Sequence, residues 1–535
     1  MEDRLPDVHI SNHNDWTQKN GVSFSGTIVY NGDIISGVDA CELFGGVQTS
    51  DDLKKIVGNS TGFFATIIES SNELMLTVDQ AGSRQIFYTN FGNRLHISDE
   101  YKKLQHNLEN EEPPSGVKKE LLKSGYISQN DTLHPKIKKT QAGEIHAFNQ
   151  IGNTTEVKIS SHYKYEVGGE IKNNENALEE LENKLDIITK RLISFADESP
   201  IILFLSGGYD SRLLAYMLHK HEADNVYAVT GDQQNDEFNH AGRISKELGF
   251  NWTKLRVSHD DLTRIYQSNH WEPVEKHVEG HRAPMPELNT IAYLQKIKND
   301  KTLPDSGVIV KGHTIAEAGK RIPTNFLNKA EINSEEVVFD ILSRHYTGTD
   351  RYSNQIPNGE LHDRVSSWLE EDNKISQTTA IQKCESWYWS HRIPHYLMCD
   401  SSVYNNFGYD YWHPFLDREY LEFYTHLPVE HRYKRKLLES YTDRLDERRG
   451  VSVEDSDKIQ SVLKDILSGG EIESLALKIK DTVEQSIESP INVYEGDKRY
   501  GYMGKEEFLN RYSGSERYNY FLAEDTLQNA ITHNE

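Results

Sequence analysis

Ser206-Gly207-Gly208-Tyr209-Asp210-Ser211 is the stretch of this chain whose residue types and spacing suit it to chemistry. Two glycines let a backbone turn tightly and let a ligand approach the main chain. Ser206 and Ser211 add hydroxyl donors, and Asp210 can hold a divalent cation that bridges phosphate oxygens. The apolar run 201–205 leads straight into the glycines, and residues 213–218 show a helical apolar pattern beyond them. A strand that turns through glycines into a helix gathers backbone N–H groups and the positive end of the helix around one point, which is a cradle for phosphate. The lysine-bearing loop GxxxxGK[ST] occurs nowhere in the sequence. The basic stretch Tyr433-Lys434-Arg435-Lys436-Leu437, taken by itself, reads as a solvated helix end. His277 and His281 lie four apart, but Gly280 intervenes and no third ligand is evident, so a metal role is disfavoured.

These residues need elements to position them. A length of 535 residues exceeds one ordinary core, so two domains and an appendage are expected. After the loop, residues 225–230 read as a strand ending at Gly231, residues 236–248 as a helix stopped by Gly249, and residues 251–257 as another strand. That alternation predicts a parallel sheet with covered faces, whose ligands sit beyond the carboxyl ends of the strands. Ser206, Thr230 and Gly312 fall at such ends. A helix is expected over 177–196. Upstream, residues 62–68, 73–78, 94–97, 143–148 and 156–159 read as β segments, with a helical stretch near 115–124. The polar stretch 164–175 separates the halves, giving expected domains at 1–165 and 170–450. An extension at 451–535 carries an amphipathic helix at 457–467 and then many tyrosines. It either wraps the second domain or shapes an acceptor site. Trp387, Tyr388 and Trp389 read as core and pocket lining rather than a base-stacking platform.

Composition narrows the partners. Lys and Arg number 59 against 84 Asp and Glu, a formal charge of −25, and no basic stripe stands out, which argues against nucleic-acid binding. Cys41, Cys384 and Cys399 form neither a disulfide framework nor a CxxC pair, which suits a reducing, cytoplasmic setting. The N-terminus is polar, and no run of about 18 apolar residues exists to span a membrane.

SerGlyGlyTyrAspSer resembles the SGGxDS pyrophosphate loop of the adenylating ATP pyrophosphatases. Across roughly residues 24–445 the chain resembles the asparagine synthetase family, with its β-lactam synthetase and lasso-peptide cyclase relatives. Gly62-Phe63-Phe64-Ala65, then Asp79, Gly82 and Tyr88, then Ser98-Asp99-Glu100 are similar to that family's GxFA…RDxxGxxPLYY…SE path, with Gln85 in place of the proline. The resemblance implies an α/β fold class: a first half of Ntn-type αββα sandwich, and a second half of doubly wound parallel sheet, adenine-nucleotide α-hydrolase-like. It implies ATP and Mg2+ as cofactors, with Ser206, Gly207, Gly208 and Ser211 on pyrophosphate. Adenine and ribose fall to Leu205, Thr230, Lys311 and Gly312, although Lys311 is also suited to neutralising a phosphate directly. Asp210 and Glu317 would hold metal; the family's SGEGxDE motif has an aspartate where this chain has Ala316. The resemblance also implies a catalytic lysine in K-x-x-L, which would stabilise negative charge as it develops; Lys434 fits that spacing best, with Lys436 its near rival. His413-Pro414-Phe415-Leu416-Asp417 is similar to the family's R-x-PFLD turn, and Asp417 is expected to cap a helix over 418–426.

The family's glutaminase works through a cysteine at position 2. Here that position is Glu2 and Cys41 is internal, so the first half is expected to lack glutaminase activity. The implied reaction adenylates a carboxylate, aspartate by default, releasing pyrophosphate; ammonia or an amine then displaces AMP to form an amide. A peptide or sugar (glycan) acid acceptor, as in a specialised amidotransferase or cyclase, is the alternative, and a homodimer is compatible with the resemblance. Two other classes stand beside it. RNA modification is disfavoured by the acidity and the absent CxxC pairs, and a non-catalytic ATP-binding scaffold draws its support from Ala316.

Overall fold

The computed structural model describes residues 6–11, 16–92, 94–151, 154–168, 174–231, 235–269, 271, 274, 278–283, 287–346, 359–370, 373–398, 401–449, 490–513 and 518–532. Cys399, His277 and the helix expected at 457–467 lie outside the described residues.

The first half is a sandwich of two sheets between helices. One sheet is antiparallel, in the order Thr154–Ser161, Glu144–Ile151, Leu74–Val78, Ser60–Glu69, Val22–Tyr30, Trp16–Lys19, with Asp33–Ser36 also on Val22–Tyr30. The other has the order Asp7–His9, Arg94–Ser98, Phe87–Phe91, Lys138–Lys139. Strand alternation divides Ser60–Glu69 between two cores. Phe64 and Ile68 face the helices Gly37–Phe44 and Ser50–Val57, in one cluster with Phe24, Phe44 and Leu53. Ala65 and Ile67 face the second sheet, in a cluster with Ile86, Tyr88 and Ile97. Phe87, Tyr101 and Leu104 cover the outer face of that sheet with the helix Tyr101–Gln105. The four layers expected from the resemblance are present.

The second half is built on a parallel sheet. Its strands are β1 (Ile201–Phe204), β2 (Val226–Gly231), β3 (Asn251–Leu255), β4 (Gly307–Lys311) and β5 (Tyr409–Tyr411), in the spatial order β3-β2-β1-β4-β5. β1 pairs with β2 on one side and β4 on the other, both parallel and in the same register, with Phe204 opposite Val229 and Lys311. Helices α1 (Asn174–Ala196), α2 (Tyr209–Lys220) and α3 (Asn235–Leu248) accompany these strands. Gly249 ends α3 in the left-handed region at φ 73°, which accounts for the stop read there. Between β4 and β5 the chain makes a helical lobe with its own core of Val337, Ile341, Val365, Ile381 and Trp387. Trp387 and Trp389 are fully buried, as core.

The halves are fastened together at the turn Pro414–Leu416 and the helix Arg418–His426. Asp417 accepts from Glu419 N at 3.0 Å as that helix's cap and is also bonded to Arg191 of α1. Arg418 reaches into the first half: its N–H donates to Thr61 Oγ1 at 3.0 Å, Nε to the Ser60 carbonyl at 2.7 Å and Nη2 to the Val57 carbonyl at 3.1 Å. Gln80 Nε2 answers from the other side, donating to the Leu416 carbonyl at 3.1 Å. The tyrosine-rich extension lies on the outside. Tyr494 stacks on His259 at 4.7 Å and Tyr502 meets Tyr266 at 5.0 Å on the second half, while the helix Tyr518–Thr532 packs on the helix Ser115–Ser124 of the first; none of the extension's described residues lines the cavity described below. Among the described residues no helix is long and apolar enough to cross a membrane.

Candidate active site

The sheet order reverses at β1, so the crevice beyond the ends of β1 and β4 is the switch point where ligands of such sheets bind. The loop 205–208 sits in it. The residues form a turn because Ser206 and Ser211 close on one another: Ser206 N donates to Ser211 Oγ at 3.0 Å, the two hydroxyls are 2.9 Å apart, and Gly208 N donates to Ser206 Oγ at 3.2 Å. Gly208 is the N-cap of α2, with φ −71° and ψ 159° and no side-chain cap bond. Glycine is therefore not needed there for a left-handed backbone, contrary to the tight-turn expectation. Its contribution is a bare helix start, whose first-turn N–H groups stay open to an anion.

A cavity of about 300 Å³ adjoins the loop, and Leu205, Ser206, Gly208, Asp210, Ser211, Thr230, Lys311 and Gly312 all border it. Thr230 joins two strand ends, donating to the Leu205 carbonyl at 2.7 Å and accepting from Trp252 Nε1 at 2.9 Å. Gly312 is pressed against the start of α2: a Cβ there would stand 2.6 Å from Ser211 N and 2.9 Å from Ser211 Cα. Gly231 leaves similar room for the ring of Tyr293, 2.5 Å from where a Cβ would be. Lys311 Nζ lies over the Phe204 and Tyr404 rings at 5.1 and 5.3 Å.

The carboxylates expected to hold metal are brought together, but a cation of the protein already stands between them. Arg435 Nη1 donates to Asp210 Oδ2 and to Glu317 Oε1, each at 2.6 Å, and Nη2 to Glu439 at 2.9 Å. Glu317 rides on the 3-10 turn Ile315–Arg321, capped by Thr314, and also pairs with Lys320 at 2.9 Å. Arg435 is aimed inward by two successive left-handed residues, Lys434 at φ 53° and Arg435 at φ 59°. The following helix, Lys436–Arg449, is fixed to α2 by Tyr216, which donates to Asp446 at 2.5 Å, and by the Arg212–Asp446 ion pair at 3.3 Å. Burial, opposed by Arg435 and reinforced by Glu317, pushes the Asp210 carboxyl up to about 6. Glu317 is half-buried, which by itself would raise its carboxyl, yet Arg435 and Lys320 hold it below its ordinary value.

The Asp210–Glu317 pair thus does not fit a divalent ion between its members, because their facing oxygens are taken by a guanidinium. Asp210 Oδ1 is left as a single buried oxygen with no hydrogen-bond partner. Ala316 is fully buried. Neither Lys434 nor Lys436 borders the cavity; Lys436 is exposed, and both lie 5.5 Å from the Tyr433 ring. Arg435, one residue from either lysine, is the group that sequence reasoning missed.

With this geometry in place, the sequence profile of the asparagine synthase family matches residues 186–296, from α1 through β1, the loop, β2 and β3. This part of the chain is similar to the asparagine synthase family. The matched segment stops short of Gly312, Glu317 and Arg435, the residues that close the site from the other side. No curated protein matches the chain. Two solved structures are similar in part. One is the NH3-dependent NAD synthetase of Campylobacter jejuni in complex with the nitrate ion, at 16% identity, 28% of this chain, 59% of that one and TM-score 0.19. The other is the glutamine phosphoribosylpyrophosphate amidotransferase of B. subtilis complexed with ADP and GMP, at 11% identity, 57% of this chain, 58% of that one and TM-score 0.18. The chain spans less than two thirds of the length of either, and at those TM-scores neither likeness bears on the site.

Proposed function

We propose that the chain is an ATP-dependent ligase that joins ammonia or an amine to a carboxylate, with aspartate the default acid and a peptide or glycan acid the alternative. The observation that supports this best is the uncapped start of α2 at the sheet's switch point, beside a cavity bordered by Ser206, Asp210, Ser211 and Thr230. In this reading adenine and ribose lie along Leu205, Thr230, Lys311 and Gly312, and the β,γ-phosphates rest on the loop. An oxygen of the acid attacks the α-phosphorus, the bond to the bridging oxygen breaks, and pyrophosphate leaves toward the backbone donors. The amine nitrogen then attacks the acyl carbon, the bond to the AMP oxygen breaks, and the nitrogen loses its proton to solvent. A cation near these centres lowers both barriers by stabilising charge that appears in the transition state. In this conformation Arg435, rather than Lys434 or Lys436, is the cation at the loop.

The first half is read as a docking partner without glutaminase chemistry. Cys41 is buried, its thiol is spent on the carbonyls of Thr17 and Val22, and burial pushes its pKa up. Asp99, in the family-like Ser98-Asp99-Glu100 stretch, is taken up by Ser11 and Trp16. Nitrogen then comes as free ammonia or as an amine on the substrate. A non-catalytic scaffold is the second reading, favoured by Ala316 and by the guanidinium between Asp210 and Glu317. Exchange of labelled pyrophosphate into ATP, screened over amino acids and sugar acids with Asp210→Ala as control, separates the two. Acid-dependent exchange with formation of AMP is expected; ATP that binds and stays intact with every acid would leave the scaffold.

A further inference from the structure

A second cluster lies at the edge of the four-stranded sheet, apart from the loop and its cavity. Asp7–His9 runs parallel to Arg94–Ser98 with Asp7 opposite His96 and His9 opposite Ser98. Residues two apart on a strand share a face, so Asp7 and His9 project to the same side, and His96 joins them from the neighbouring strand. Asp7 Oδ2 is 3.1 Å from His9 Nε2 and 3.1 Å from His96 Nδ1, and the three ligand atoms lie within 4.8 Å of one another. Ligand atoms around a tetrahedral zinc ion, with bonds near 2.1 Å, stand about 3.4 Å apart.

The far side of the His96 ring points to what belongs there. His96 Nε2 stands 3.3 Å from the Phe91 carbonyl oxygen, an atom that only accepts, so Nε2 is the nitrogen that carries the hydrogen. In the tautomer with that hydrogen alone, the bare Nδ1 lone pair faces a carboxylate oxygen at 3.1 Å. Two lone pairs at that distance repel unless a cation stands between them. Fixing one imidazole nitrogen on a backbone carbonyl so that the other is free to ligate is the usual arrangement around metal-bound histidines. His96 is buried, whereas His9 is 46% exposed, so the outer side of the cluster is open to a water ligand.

We propose that Asp7, His9 and His96 bind a divalent transition-metal ion of the zinc type, through two imidazole nitrogens and one carboxylate oxygen, with water completing the shell. The ion clips the first strand, only three residues long, to the sheet. Full-length protein stripped with a chelator is titrated with Zn2+ by calorimetry and, in parallel, with Co2+ by its visible spectrum. The wild type is expected to bind one more Zn2+ than His96→Gln or Asp7→Asn, or to bind it at least tenfold more tightly. Zn2+ should also raise the thermal midpoint of the wild type by more than it raises that of either variant. Asp7 is partly exposed on an edge strand, so Asp7→Asn decides the matter if His96→Gln does not fold. Equal zinc stoichiometry and affinity in all three proteins would overturn the proposal, since binding would then come from other histidines. Absence of zinc binding to the wild type would overturn it as well, and would make the cation a proton.

Discussion

Replacing Arg435 by alanine removes the guanidinium that Asp210 and Glu317 share and leaves two carboxylates facing each other. Breaking a fully buried ion pair from one side costs about 3–5 kcal/mol. Here the Asp210 and Glu317 side chains are 17% and 27% exposed, so water recovers part of the loss, and a cost of about 2–3 kcal/mol follows. Position 435 is also left-handed, at φ 59°, which costs a residue other than glycine about 1 kcal/mol. Arg435→Gly should therefore be about 1 kcal/mol more stable than Arg435→Ala, although both lose the same ion pairs. The vacated position is suited to a divalent ion, so millimolar Mg2+ without nucleotide should raise the thermal midpoint of both variants and leave the wild type where it is. Urea unfolding at neutral pH reads the first two expectations and a thermal melt with and without Mg2+ reads the third. Variants as stable as the wild type, with the same response to Mg2+, would refute the view that Arg435 serves as a resident cation.

Two further expectations concern the same site and a third the first half. Gly312→Ala sets a methyl group 2.6 Å from Ser211 N, where backbone cannot yield, so ATP affinity measured by calorimetry should fall at least tenfold, roughly 1.4 kcal/mol. Asp210 keeps its proton up to about pH 6 in the native chain, against an unfolded value of 3.8. Between those values the native state holds a proton that the unfolded chain has released, so raising the pH through this window destabilises the fold, by roughly 3 kcal/mol at most. Asp210→Asn should remove that share of the slope in urea midpoints taken across the window. Finally, free ammonia should support amide formation while glutamine should not, and purified protein should release no glutamate from glutamine; glutamate formation would contradict the reading of the first half.

The loop was legible because its meaning is local. A strand, two glycines and a helix follow one another within a few residues, and the Ser206–Ser211 contact closes inside the motif. The parallel sheet was legible for a similar reason, since Gly231 and Gly249 punctuate β2 and α3 where the apolar pattern stops. Arg435 was not. In the sequence it stands among Lys434 and Lys436 as one more basic residue before a helix, and its partners Asp210 and Glu317 lie 225 and 118 positions away. Its direction is set by two left-handed residues of types that carry no such signature, Lys434 and Arg435. The Asp7–His9–His96 cluster was hidden likewise, because it depends on which residue of one short strand stands opposite which residue of another. The tail offered tyrosines in plenty, yet only the packing of Tyr494 on His259 and Tyr502 on Tyr266 shows where it goes.

Arg418 gives the first half a lasting claim on the second. Its guanidinium ends on the carbonyls of Ser60 and Val57, and its own amide is answered by Thr61. Cut the chain between the halves and a buried positive charge is stranded at the very corner that carries Asp417 and the Pro414–Leu416 turn. Substitutions elsewhere on the first half leave these bonds untouched. At this seam the first half is held to its shape, for the second half is propped against it like a roof against a chimney.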